Sequence, residues 1–113
     1  QSYPLASWEP TNKFKDAYVV IPQFLNGWRV TEVEASYGEF WSANAHTWRL
    51  AQLTNTGTVF NSTTWTHPGN SRQNTASTSL TIQGGYTLHV IYPAGTFTDG
   101  EVAGLTITLT LAP

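Results

Sequence analysis

Apolar and polar residues alternate along this chain in short runs of period two, the signature of strands with one buried face. The final run is the plainest: Leu105, Ile107, Leu109 and Leu111 interleave with Thr106, Thr108 and Thr110. In the run before it Tyr86, Leu88, Val90 and Tyr92 share one face, with Pro93-Ala94-Gly95 and Asp99-Gly100 as turn chemistry between the two. Leu80 and Ile82 flank Thr81 ahead of a break at Gly84-Gly85.

Nearer the start, residues 17–21 predict a first strand, closed by Pro22, which cannot donate to a ladder. Asn26-Gly27 tolerates the positive φ of a tight turn, and residues 28–37 follow as the second strand. Within it Trp28 and Val30 have one parity while Val33, Ala35 and Tyr37 have the other, so a bulge or twist is expected near Thr31 and Glu32. Residues 46–53 form a third strand, Asn55-Thr56-Gly57 a turn, and residues 58–60 a short strand. Residues 67–79 open on His67-Pro68-Gly69-Asn70 and run on polar, which predicts a loop with a strand starting about Ser77. Residues 1–16 show no sustained period and read as an N-terminal arm or connecting segment pinned by Trp8 and Phe14, ahead of a β domain over residues 17–113.

Seven or eight short strands without a helical run predict an all-β fold, an antiparallel β-sandwich of jelly-roll type, because an open sheet would leave long bare edges. Composition agrees: 18 Thr and 8 Ser, with five each of Trp, Tyr and Phe, suit pleated surfaces whose polar side is made of hydroxyls. At 113 residues the chain supports one core. A net charge of -2 with five Lys and Arg leaves no basic stripe for a phosphate backbone, so nucleic acid is not an expected partner. The longest pure apolar run is strand length, so no membrane insertion is expected. No cysteine is present to make a disulfide or a thiolate metal site, and stability is left to packing or to partner subunits. The chain opens at Gln1 without a leader pattern, which reads as the edge of a cut domain, a processed end or an ordered segment.

Three stretches carry a resemblance: residues 21–35, residues 47–55, and Gly85-Tyr86-Thr87-Leu88-His89-Val90 taken with Gly104-Leu105-Thr106-Ile107-Thr108-Leu109. Their order is similar to that in a small jelly-roll domain of tailed-phage virions, found at tail-fibre tips and in capsid decoration proteins. The likeness is one of pattern over roughly residues 18–111, and trimeric tumour-necrosis-factor-like heads share part of it. Trp41 and Trp65 depart from the pattern. The resemblance implies a virion-surface domain, commonly a homotrimer, that contacts other virion proteins or a host receptor or surface glycan.

Catalytic constellations are sparse. Glu32 and Glu34 share one strand face, roughly 6.5–7 Å apart, a spacing open to paired-carboxylate hydrolysis but ordinary for a solvated strand. No Gly-x-Ser-x-Gly elbow is present, and no enzyme activity is expected. Glu39, Asp99 and Glu101 lack a calcium-loop pattern. His46, His67 and His89 lack metal-ligand spacing, although three copies of His89 could meet on a threefold axis. No cofactor is expected. Asn61-Ser62-Thr63 matches a glycosylation acceptor, taken as coincidence. Among the tryptophans, Trp28 and Trp48 belong to the core or an interface, while Phe40-Trp41 and Trp65-Thr66-His67 fall near loops. The expected binding residues are Phe40, Trp41, Trp65, His67, Asn70 and Arg72. Two uses fit them: a virion attachment or decoration surface, or a carbohydrate-binding module whose loop aromatics stack on a glycan.

Overall fold

The computed structural model describes residues 2–8, 17–38, 41, 43–91 and 105–113, with backbone alone for residues 2–8, 17 and 18. Eight strands follow in order: β1 (Ser2–Trp8), β2 (Ala17–Val20), β3 (Arg29–Ser36), β4 (His46–Leu53), β5 (Val59–His67), β6 (Gln73–Thr81), β7 (Thr87–Ile91) and β8 (Leu105–Ala112). A single 3-10 turn, Gln23–Leu25, sits between β2 and β3. The first sheet has the order β1-β8-β3-β6 and the second β2-β7-β4-β5. First pairs with last, second with seventh, third with sixth and fourth with fifth, all antiparallel. A long hairpin rolled over itself in this way is the eight-stranded jelly roll.

Alternation places the core between the sheets. In β8 buried and half-buried positions alternate from Leu105 to Ala112, so Leu105, Ile107, Leu109 and Leu111 lie beside Val33 and Ala35 of the neighbouring β3 on the inner face of the first sheet, opposite the inner residues of the second. Leu50, Trp48, Leu88 and Val90 complete that facing layer. Each such side chain, fully buried, contributes about 1.5–3 kcal/mol. The bulge expected near Thr31 is present: Val30 pairs with Leu111 and Glu32 with Thr110, leaving Thr31 as the extra residue against β8. Thr31 Oγ1 donates to the Thr110 carbonyl at 3.3 Å, and Thr78 Oγ1 donates to the Val30 carbonyl at 3.0 Å. The two hydroxyls thereby add hydrogen bonds to backbone carbonyls at the bulge.

Two expectations need correction. The short strand at residues 58–60 is instead the nine-residue β5, Val59–His67, and the loop expected over residues 67–79 is mostly β6, Gln73–Thr81. Both are edge strands, with only Trp65, His67 and Leu80 buried among their residues. Their alternation is written in Thr, Ser and Asn, which a search for apolar period passes over. Ser2–Trp8, in the segment expected as an arm or connection, pairs with β8; Phe14 and the rest of residues 9–16 lie outside the described residues.

Candidate functional site

Chain direction sorts the connections onto two ends of the sandwich. One, the turn end, holds the links from β2 to β3, β4 to β5 and β6 to β7. The other, the loop end, holds the links from β3 to β4 and β5 to β6, and Trp8, Ala17, Ile91 and Leu105 sit there too by register.

β4 delivers a buried polar side chain to each end. At the turn end it is Gln52, fully buried. Its amide nitrogen donates to Asn61 Oδ1 at 2.6 Å and to the Thr81 carbonyl at 2.9 Å, and its oxygen accepts from the Gln83 N–H at 2.7 Å. Gly84 packs so closely on Gln23 that a Cβ would stand 2.8 Å from the Gln23 Cα, and its N–H donates to Asn26 Oδ1 at 2.9 Å. Exposed Val20, Phe24, Val59 and Phe60 surround this end, with Phe60 edge-on to Tyr86.

At the loop end β4 presents His46 and Trp48, which pair across the ladder with His67 and Trp65 of β5. All four are buried. Trp48 Nε1 donates to the Tyr37 hydroxyl at 3.1 Å, crossing from one sheet to the other, and the Tyr37 and His67 rings lie 4.5 Å apart. Burial pushes the Tyr37 phenol up to about 12, with the Trp48 hydrogen bond opposing the shift. His67 Nε2 lies 2.7 Å from the Ser71 carbonyl, which can only accept, so Nε2 carries the proton and Nδ1 is left with a lone pair. Among the described residues that Nδ1, and the Trp65 indole N–H, have no hydrogen-bond partner. Desolvation lowers the His67 pKa, with the Ser71 bond opposing, and keeps the imidazole neutral.

Above this buried layer the two loops lock together. A Cβ on Gly69 would overlap the Ala43 carbonyl oxygen, so glycine is what permits the contact. Asn70 takes φ 56° at the exposed loop tip. Arg72 donates from Nε to the Tyr37 carbonyl at 3.3 Å and from Nη2 to the Gly38 carbonyl at 3.1 Å. Its guanidinium then lies over the Trp41 ring, 5.8 Å from the centroid. Trp41 is 43 % exposed.

Of the six expected binding residues, Trp41 and Arg72 therefore meet at the exposed loop end, and Asn70 stands exposed on the loop that carries Arg72. Trp65 and His67 do not belong to a loop: they are inward residues of β5 that support the site from below. Phe40 lies outside the described residues, as do Glu39, Asp99 and Glu101. Sequence reading missed Tyr37 and Gly69 as organisers of this end; the apolar parity of Tyr37 marked it as core and gave no sign of its hydroxyl's partner. Glu32 and Glu34 point outward from β3 among Ser77, Thr75, Thr110 and Thr108. His89 lies on the outer face of β7, between buried Leu88 and Val90. Among the described residues no group of three His, Asp or Glu is placed to hold a metal ion.

Fold and site together define a jelly roll with an aromatic and cationic loop end. Comparison with protein-family models, with curated proteins and with solved structures returned no match to this chain.

Proposed function

We propose that this chain is a non-enzymatic structural domain of a tailed-phage virion, a tail-fibre tip or capsid decoration jelly roll at the particle surface, that works by multivalent binding. The observation that carries the reading is the division of labour between the two ends: one is tied together by the three hydrogen bonds of the buried Gln52 amide, while the other displays Trp41 and Arg72 on two interlocked loops. A surface of that size binds weakly alone and gains from repetition on one particle. Homotrimerisation supplies the repetition, and burial of exposed apolar residues such as Val20, Phe24, Val59 and Phe60 between copies would favour it. The order of strand and turn signals that resembles phage jelly rolls agrees with this reading.

A second reading, a monomeric carbohydrate-binding module, draws on the exposed part of the Trp41 side chain, since an indole face is a natural platform for a sugar. Light scattering on the purified chain, diluted through the micromolar range, separates the two. A persistent trimer supports the virion domain; a monomer at every concentration turns the assignment to the carbohydrate module.

A further inference from the structure

We infer that the loop end takes an acidic saccharide, a sugar chain carrying carboxylates, with Trp41 stacked on a pyranose face and Arg72 paired to a carboxylate. The inference rests on reading the loop end as the binding surface and names its ligand. Arg72 uses Nε and Nη2 on two backbone carbonyls, which fix the plane of the guanidinium without cancelling its charge. Among the described residues no carboxylate pairs with it, so the hydrogens on Nη1 remain for an incoming anion. The guanidinium lies over the indole, 5.8 Å from the ring centroid, so a sugar whose C–H face packs on the exposed part of that ring brings its carboxylate next to the cation. Asn70, on the exposed tip, adds an amide of the kind that sorts sugar hydroxyls, and the Ser71 hydroxyl, whose proton goes to the Gln73 carbonyl at 2.7 Å, can add an acceptor. A neutral sugar would leave the Arg72 charge unanswered, and a short acidic peptide would leave the indole without a ring to cover.

The test is a titration of the full chain, followed by the indole N–H resonances in 1H–15N correlation spectra, with Trp41 identified by the peak lost in Trp41→Phe. The probes are a glucuronate-containing tetrasaccharide, the neutral tetrasaccharide cellotetraose and tetraglutamate. The expected result is a Trp41 shift with the acidic sugar, about tenfold weaker binding of cellotetraose and of tetraglutamate, and loss of the acid preference in Arg72→Gln. Because Arg72 also ties two loops, Arg72→Lys serves as the second variant: it retains charge and should keep part of the preference, which weakens as salt is raised. Equal binding of the two sugars, or an acid preference indifferent to Arg72→Gln, would overturn carboxylate recognition while leaving a sugar-binding loop end. Tetraglutamate binding as well as the acidic sugar would reduce the site to charge alone and overturn the saccharide. No Trp41 shift with any probe would also overturn it, and the solution mass would still judge the virion reading separately.

Discussion

β4 reaches both ends of the sandwich with buried polar chemistry, and the two ends are finished differently. At the turn end the Gln52 amide uses both donors and its acceptor, and the loops around it are stitched by backbone bonds, with Gly85 N–H on the Ile21 carbonyl and Gly27 N–H on the Ile82 carbonyl, each at 2.8 Å. At the loop end the Trp48–Tyr37 bond does the same sheet-crossing work, yet the His67 Nδ1 and the Trp65 N–H lack partners among the described residues. Each such buried orphan costs on the order of 1–3 kcal/mol relative to a satisfied group. Buried polar atoms are thus more fully satisfied at the turn end, and the loop end carries the irregularity typical of surfaces kept for contact.

The largest effect should follow from breaking the stronger end. Gln52→Leu keeps volume but strands the Gln83 N–H and the Asn61 amide oxygen and weakens the tie to the Thr81 carbonyl. We expect a loss of about 3 kcal/mol, read as a lower urea midpoint with an unchanged slope. A loss within experimental error would mean the two ends are equally dispensable to the fold. Next in size is Gly69→Ala at the loop end, where the added methyl collides with the backbone carbonyl of Ala43 and must push the two loops apart. About 2 kcal/mol is expected, and the Trp41 indole resonance should move although the mutation lies elsewhere in the chain.

How legible these ends were in the sequence differs as sharply as their energetics. β8 was readable because its inward residues are large and apolar, β4 because Trp48 and Leu50 hold the middle of its inward face, and the bulge at Thr31 because the apolar parity of β3 breaks there. β5 and β6 were not, since edge strands bury little and their inward positions include Asn61 and Thr63. Trp41 and Arg72 could each be singled out as exposed-loop candidates. Their juxtaposition could not: it depends on the β3–β6 register, which sets Ser36 opposite Gln73 and carries Tyr37 N–H to the Arg72 carbonyl at 2.7 Å. The His46–His67 pairing was hidden for the same reason, because it arises from the β4–β5 ladder across an unrecognised strand.

Acid should sharpen the contrast more gently. His67 has its pKa lowered from an ordinary 6.5 by burial, so above that pH it is neutral in both folded and unfolded chains and its contribution is fully present. As the pH falls below 6.5 the unfolded chain binds the proton first, and stability declines until the folded imidazole is protonated as well. Thermal midpoints measured from pH 7.5 down to 5 should therefore fall, and His67→Gln should flatten that part of the profile attributable to this ring. An unaltered slope in the variant would show that His67 does not tension the loop end.

The smallest stability effect is predicted where the functional effect is greatest. Trp41 packs against a guanidinium rather than into the core and keeps 43 % of its surface open, so Trp41→Ala removes little that folding needs. Its urea midpoint should move by less than about 0.5 kcal/mol equivalent, in contrast to Gln52→Leu. Arg72 would still hold the Tyr37 and Gly38 carbonyls, since neither bond involves the indole. Binding at the loop end, by contrast, should be lost, because the stacking surface is gone while the cation remains. A large destabilisation in Trp41→Ala would instead make this residue part of the scaffold, and the division between a structural end and a contact end would no longer hold.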